Sequence, residues 1–218
     1  MAEQLKKDFL AKYLYVPFLN SWIGKITGLE NIPKDNAFIL APNHNSYIEH
    51  FLIVAITIKN FGKRICIMAK KEHFDTTTQR VWHKYWSKYV STIPIDRSKG
   101  ENALNASIPY LKKGGILVVY PEGTRSLTGK IQRGKTGVAR LVLWARVPVI
   151  PLGIIGTFKI MPKGKKIPKL KKADFNFGKP MYFEKYYDKP ITKKLLREIT
   201  TKIMKEIAKL SNQEYNFK

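Results

Sequence analysis

The sequence predicts an α/β fold in which helices flank a mixed, largely parallel central sheet. The main reason is that short apolar runs alternate with segments of helical periodicity along most of the chain. In addition, 218 residues with 44% hydrophobic content are enough to bury one core, and no Gly/Ser-rich or Pro-rich linker divides them. We therefore expect one folded domain over residues 28–218, preceded by an N-terminal segment over residues 1–27.

The N-terminal segment has the pattern of an amphipathic helix, or of two short helices broken near Pro17. Its apolar residues fall at helical spacing and lysines add positive charge: Phe9, Leu10, Tyr13 and Leu14, with Lys6, Lys7 and Lys12. Such a segment suits a membrane interface, and the alternative is packing against the protein's own core. The longest apolar region, residues 138–156, is interrupted by arginines and prolines, so no transmembrane helix is predicted.

Five short apolar strands are predicted in the domain, at residues 37–41, 64–68, 91–95, 116–120 and 149–154. Three helices are predicted between them, from apolar stripes that begin at Ile48, Leu104 and Val138. A fourth helix, which we expect to pack on the sheet, has an apolar stripe of Leu196, Ile199, Ile203, Ile207 and Leu210.

Three polar residues follow predicted strands closely and are expected to line one crevice at the strands' carboxyl ends: His44, Arg97 and Glu122. Glu49 follows His44 by five positions. An imidazole can take a proton from a hydroxyl, and a carboxylate at its other ring nitrogen fixes the tautomer and stabilises the imidazolium. The substrate's own alcohol is then the nucleophile, which agrees with the lack of a Gly-x-Ser-x-Gly motif. Glu49 can alternatively be an acid favoured at a helix N-terminus.

The formal net charge of +24 demands an anionic partner or surface. Nucleic acid, an anionic membrane leaflet, and an acidic substrate with its carrier all fit, and charge alone does not choose between them. Lysines are densest at residues 159–172, which we expect to form an exposed loop or hairpin; a solvated face that serves solubility is the alternative. The aromatic residues accompany apolar stripes and no nucleic-acid-binding signature is present, so no nucleic acid is expected.

The sequence contains neither a spacing typical of a metal site nor a glycine-rich nucleotide loop. We therefore predict no metal and no cofactor. The single cysteine, Cys66, lies in an apolar run, where a small buried hydrophobic residue is expected.

Four short blocks occur in order along the domain: Asn43-His44 with Glu49, Ile95-Asp96-Arg97, Tyr-Pro-Glu-Gly-Thr-Arg-Ser at 120–126, and Val-Pro-Val-Ile-Pro at 147–151. Over roughly residues 28–185 the chain resembles the glycerolipid acyltransferases, most closely the bacterial 1-acylglycerol-3-phosphate acyltransferases. Two positions depart from that family's pattern. Glu49 stands where the family has aspartate, and Tyr120 stands where it has phenylalanine.

The resemblance implies that His44 is the general base and that Glu49 orients it. It also implies that Glu122 and Gly123 contact the substrate and that Thr124 helps to hold its phosphate.

Arg97 and Arg125 are the best candidates for binding the phosphate, because guanidinium forms bidentate hydrogen bonds with it. Arg97 can alternatively pair with the neighbouring Asp96. Lys70 and Lys71 are secondary candidates. A further group is expected either to line an acyl-chain pocket or to serve as a core strand: Val149, Ile150 and Pro151.

The implied protein is a peripheral, monotopic enzyme on the cytoplasmic face of the cell membrane. It would move a fatty acyl group from acyl carrier protein or coenzyme A to the 2-hydroxyl of lysophosphatidic acid, forming phosphatidic acid without a cofactor. Its expected partners are an anionic membrane surface, lysophosphatidic acid, and the acyl carrier protein or coenzyme A thioester. Two alternatives stay open: another lysolipid acceptor, and a non-catalytic basic protein that binds membrane or nucleic acid.

Overall fold

The computed structural model describes residues 16–34, 36–61, 65–70, 90–95 and 104–217. Its strands are β1 (Ile23–Thr27), β2 (Phe38–Pro42), β3 (Ile65–Lys70), β4 (Val90–Ile95), β5 (Ile116–Val118), β6 (Val149–Ile155) and β7 (Ala173–Phe177). Its α-helices are α1 (Val16–Asn20), α2 (Ile48–Phe61), α3 (Ile108–Lys112), α4 (Gly137–Ala145), α5 (Thr157–Ile160) and α6 (Lys193–Leu210). Short 3₁₀ helices occupy Leu29–Asn31 and Glu184–Tyr186.

The seven strands form one sheet in the order β1-β7-β6-β2-β5-β3-β4. Neighbouring strands are parallel, except that β6 and β7 are antiparallel. The predicted α/β fold with a mixed, largely parallel sheet is therefore confirmed. All five predicted strands are present with small shifts at their ends, whereas β1 and β7 were not predicted.

Strand β1 lies inside the predicted N-terminal segment, residues 1–27, and pairs with β7. The last residues of that segment therefore belong to the sheet. Residues 1–15 lie outside the described residues, so the amphipathic membrane-associating helix stays a prediction. No helix in the described parts of the chain is both long enough and apolar enough to cross a membrane.

Helices cover both faces of the sheet, because successive side chains of a strand point to opposite faces. In β2, Phe38 and Leu40 join the core beneath α2, whereas Ile39 and Ala41 join the core beneath α4 and α6. A strand buried on both faces reads as a continuous apolar run, which is why β2 was recognisable in the sequence.

The C-terminal helix α6 packs on the sheet as predicted. Its stripe is buried, apart from a partly exposed Leu210. The helix begins with a capped end, since Thr192 Oγ1 accepts a hydrogen bond of 3.1 Å from the Leu195 N–H.

Candidate active site

Strands β2 and β5 are parallel neighbours, so the segments that leave their carboxyl ends meet at one edge of the sheet. We call residues 43–46 the catalytic turn, because they include the predicted general base His44, and residues 120–126 the second loop. The two segments are joined directly, because the Ser126 N–H donates a 2.7 Å hydrogen bond to the His44 carbonyl. Two of the blocks recognised in the sequence therefore form one site.

Asn43 fixes the catalytic turn to strand β6. Its Nδ2 donates to the Ile154 carbonyl at 3.0 Å, and its Oδ1 accepts the Ile154 N–H at 2.7 Å. The side chain thereby mimics a neighbouring strand and satisfies two buried backbone groups. This contact holds the residue that follows, His44, at a fixed point beside the sheet.

His44 and Glu49 form the pair that the five-residue spacing predicts. Nδ1 of His44 lies 2.8 Å from Oε2 of Glu49, which stands in the first turn of α2. Glu49 is fully buried and His44 is nearly so. When Glu49 is ionised and the proton is on Nδ1, the imidazole donates to the carboxylate, and Nε2 is left as the basic nitrogen.

The second oxygen of Glu49 explains how a glutamate fits where the resembling family has aspartate. Oε1 accepts hydrogen bonds from the N–H groups of Asn45 and Ser46 at 2.9 and 3.0 Å, and from the Thr157 hydroxyl at 2.6 Å. The longer side chain thus spans the helix N-terminus and still reaches the imidazole. Both interpretations of Glu49, orienting residue and helix-terminal acid, describe this geometry.

Burial raises the pKa of Glu49 to about 8. The hydrogen bonds from Thr157, Asn45 and Ser46 and the positive charge of Arg125 act in the opposite direction. Ionising the Glu49 carboxyl group inside the fold therefore costs free energy, and the hydrogen bonds that its oxygens accept offset part of that cost.

Tyr120 packs against the face of the His44 imidazole. The two ring centroids are 3.9 Å apart and their planes are inclined by 31°. The Tyr120 hydroxyl shares a hydrogen bond of 3.0 Å with Nδ1 of His50, which follows Glu49 in the first turn of α2. No pattern in the sequence indicates either contact. The only available signal was the tyrosine at a position where the resembling family has phenylalanine.

Glu122, in the second loop, accepts hydrogen bonds through both of its side-chain oxygens and so connects this loop to the catalytic turn. Oε1 accepts the His44 backbone N–H at 2.8 Å, and Oε2 accepts both the N–H and the side-chain amide of Gln132, at 2.9 and 3.0 Å. Burial raises the pKa of this carboxyl group to about 7. These contacts position His44, whereas the predicted contact with the substrate stays a prediction.

The remaining residues of the second loop are more open. Thr124 is exposed and Arg125 is partly exposed, with the guanidinium carbon 5.7 Å from the Tyr47 ring centroid. Gly123 has a φ of +70°, and a Cβ at this position would lie 2.9 Å from Cδ of Lys135. Lys135 is therefore a second cation beside the loop, which no motif in the sequence indicated.

Asn45 completes the catalytic turn with an atom that the fold leaves unsatisfied. Its Oδ1 is buried and has no hydrogen-bond partner within the described parts of the chain. A buried acceptor of this kind is uncommon in proteins.

The predicted acyl-pocket residues are buried in β6. Val149 belongs to the core beneath α4 and α6, and Ile150 belongs to the core beneath α2. The position of this strand between two cores agrees with the core-strand interpretation of Val149, Ile150 and Pro151.

Three predicted phosphate ligands cannot be placed beside the site. Arg97 and Lys71 lie outside the described residues. Lys70 ends strand β3, but only its backbone is among the features that the structure describes. Within the described residues, no three histidine, cysteine or acidic side chains are grouped closely enough to hold a metal ion.

Comparison with known proteins places this site in a family. The family model described as Acyltransferase matches residues 24–155, which include both the catalytic turn and the second loop. A 1-acyl-sn-glycerol-3-phosphate acyltransferase of Bacillus subtilis is 26% identical over 191 residues, which are 87% of this chain and 88% of that protein. A probable enzyme of the same name from Mycoplasma pneumoniae is 32% identical over 153 residues, covering 66% of this chain and 53% of that one.

A solved structure shows the same architecture. It is the crystal structure of the 1-acyl-sn-glycerophosphate acyltransferase PlsC from Thermotoga maritima, with a TM-score of 0.67 and 25% identity. The superposition covers 98% of this chain and 81% of that one. The similarity therefore extends beyond the catalytic segments to nearly the whole chain.

Proposed function

Because this chain belongs to the acyltransferase family, we propose that it moves a fatty acyl group from a coenzyme A or acyl carrier protein thioester to the 2-hydroxyl of 1-acylglycerol-3-phosphate. The product is phosphatidic acid, the precursor of phospholipids. The observation that carries this proposal is the buried His44–Glu49 pair, 2.8 Å apart, at the carboxyl end of β2. The names of the relatives supply the acceptor.

In the proposed reaction, Nε2 of His44 removes the proton from the acceptor hydroxyl while the hydroxyl oxygen attacks the thioester carbonyl. The new C–O bond forms a tetrahedral intermediate. When this intermediate collapses, the C–S bond breaks and the proton passes from Nε2 to the departing thiolate. Glu49 stabilises the imidazolium between these two steps, and no acyl-enzyme is formed.

Several groups near the pair support substrate binding. Arg125, and Lys135 over Gly123, bring positive charge to the second loop, where they suit the acceptor phosphate. Arg97, Lys70 and Lys71 remain proposed phosphate ligands, and Thr124 remains a proposed contact beside them.

The proposed location is the cytoplasmic face of the cell membrane, with the protein bound peripherally. The net charge of +24 supports attraction to anionic lipid. The part of residues 1–27 that precedes β1 is proposed as a membrane-associating segment, and the acyltransferase domain, predicted as residues 28–218, is proposed to include β1 as well.

The test is acyl transfer by the purified protein and by His44→Ala, with 1-acylglycerol-3-phosphate on anionic vesicles. Palmitoyl-coenzyme A and palmitoyl-acyl carrier protein serve as parallel donors, and other lysolipids as parallel acceptors. We expect product from the unchanged protein and a loss of at least about 100-fold in the variant, because general-base catalysis contributes that much. Equal rates for the two proteins would reject the mechanism, and transfer to another lysolipid alone would reject the acceptor.

A further inference from the structure

The segment between α5 and β7, residues 161–172, combines two properties that rarely occur together. We call it the basic loop. It contains six lysines and no acidic residue, and all six lysines are exposed. It also contains Ile167 and Leu170, which are 83% and 78% exposed.

A loop that serves only solubility would not expose two large aliphatic side chains among its lysines. Exposed apolar residues flanked by cations are what an anionic bilayer accepts, because the aliphatic groups enter the acyl region while the lysines remain at the headgroups. An acidic protein surface would pair with the lysines but gives the two aliphatic side chains no comparable apolar medium. The chemistry of the loop therefore favours lipid.

Two other exposed apolar residues are connected to the same part of the fold. Phe18 is 64% exposed, and its ring packs edge-on against Trp22, whose indole N–H donates to the Lys169 carbonyl. Leu127 is 72% exposed and lies two residues before Gly129, which packs against Phe158 of α5. Phe18 is thus linked through Trp22 to the basic loop, and Leu127 lies close in sequence to a residue that contacts α5.

The basic loop is also fixed to the active site. The Lys169 N–H ties the loop back to the end of α5 by donating to the Ile160 carbonyl at 2.9 Å. Its first residue, Met161, accepts a 2.6 Å hydrogen bond from the hydroxyl of Ser46 in the catalytic turn. The base of the basic loop is therefore bonded directly to the turn that carries His44.

We propose that the basic loop is a membrane-contact element that inserts Ile167 and Leu170 into anionic lipid, in addition to any contact made by the N-terminal segment. This inference deepens the proposed function, since it assumes that the acceptor is presented at a bilayer. In the proposed orientation, the basic loop faces the bilayer and the catalytic turn lies behind it.

The test compares binding to vesicles of phosphatidylglycerol and phosphatidylcholine with binding to phosphatidylcholine alone. Ile167→Ser with Leu170→Ser removes the aliphatic groups and keeps the charge, and we expect affinity for the anionic vesicles to fall at least about tenfold. Lys165→Gln with Lys166→Gln keeps the aliphatic groups, and we expect a loss of roughly 25-fold, at about fivefold for each lysine near the surface.

Matched controls lie on the other side of the sheet. Ile191 is 44% exposed and precedes α6, and Lys193 and Lys194 are consecutive exposed lysines at the start of that helix. Helix α6 packs in a different core from Met161 at the base of the basic loop. Ile191→Ser and Lys193→Gln with Lys194→Gln should therefore bind vesicles as the unchanged protein does. Equal losses in the controls and the loop variants would overturn the proposal.

Insertion is measured by a fluorophore that responds to polarity, attached to Ile167→Cys. The only natural cysteine, Cys66, is buried, so the label reports on the loop. We expect a blue shift on anionic vesicles and quenching by lipids that carry a quencher in the acyl chain. A shift with acyl carrier protein and none with vesicles would assign the loop to the carrier and refute membrane contact.

The proposed function is tested separately in the same variants. With a short-chain, monomeric acceptor in solution, the loop variants should transfer acyl groups as fast as the unchanged protein, and they should be slow only on vesicles. If no form of the protein transfers acyl groups, the proposed function fails, while vesicle binding and the fluorescence shift still decide the role of the loop.

Discussion

The catalytic turn and the basic loop are linked by one hydrogen bond, from Ser46 to Met161, yet they have opposite character. All four residues of the catalytic turn are buried, and their polar groups are almost all bonded within the protein. The basic loop is mostly exposed and carries six lysines. The buried ionisable groups around the turn are instead two carboxyl groups and a histidine.

This contrast separates two tasks that the net charge of the chain would otherwise confuse. The high positive charge does not describe the reaction centre, where burial makes each negative charge costly and hydrogen bonds compensate for it. It describes the outer surface, where charge acts over several ångströms and where we propose contact with lipid. Variants in the catalytic turn should therefore change turnover, whereas variants in the basic loop should change vesicle binding.

The largest effect is expected from Glu49→Gln. The amide cannot stabilise an imidazolium, and its NH₂ group replaces an oxygen that now accepts hydrogen bonds, so kcat should fall by about 10³- to 10⁴-fold with little change in KM. The measurement is steady-state acyl transfer on anionic vesicles, with vesicle binding measured in parallel. If the contrast is real, binding is unchanged.

Glu30→Gln is the matched control for this variant, because Glu30 is exposed and distant in sequence from the turn. It should leave turnover unchanged. A Glu49→Gln protein that is folded and fully active would remove Glu49 from the mechanism.

A smaller effect is expected on stability as a function of pH. The folded pKa values of Glu49 and Glu122 are about 8 and about 7, above the usual carboxyl value of 4.5. Between pH 4.5 and these higher pKa values, Glu49 and Glu122 are protonated in the folded state and ionised in the unfolded state. The contribution of these groups to stability therefore falls as pH rises from about 4.5 to 8 and then levels off.

Urea unfolding at several pH values between 5 and 8 measures this contribution. The difference between the unchanged protein and Glu49→Gln should grow in favour of the variant as pH rises, whereas Lys165→Gln with Lys166→Gln should leave the pH dependence unaltered. A difference independent of pH would show that Glu49 titrates normally in the folded state.

The smallest effect is expected from Tyr120→Phe. This change keeps the ring that packs on His44 and removes only the hydroxyl bonded to His50, so kcat should fall by no more than about tenfold, as for the loss of one hydrogen bond. Tyr120→Ala removes the stacked ring and should cost more. The pair is compared by kcat at constant pH, and equal losses would show that the hydroxyl, not the ring, is what matters.

The main architecture could be predicted because its central strands are continuous apolar runs. Strand β2 is buried on both faces and has no polar residue, so it is visible in sequence. Strand β7 carries Asp174 and Asn176 between buried residues, and β1 carries Lys25. These mixed strands lack the apolar run that identified the others, and they were missed.

The site, like the fold, has one part that the sequence predicts and one part that it does not. The His44–Glu49 pair was predictable because five residues lead from the end of a strand into the first turn of a helix. The contacts of Tyr120 with His50 and of Glu122 with the His44 N–H join segments that are 70 and 78 positions apart and meet only after the sheet has assembled. No local pattern encodes them, so the positioning role of Glu122 came from the structure.

The hydrogen bond from Thr157 to Glu49 spans 108 positions of the chain. During synthesis, a ribosome must add α5 before the buried carboxylate receives its last donor. Most of the sheet, including β6, has already been translated by then. The hydrogen-bond network of the proposed active site is therefore completed late in synthesis, and a nascent chain that is cut short before residue 157 lacks the Thr157 donor to Glu49.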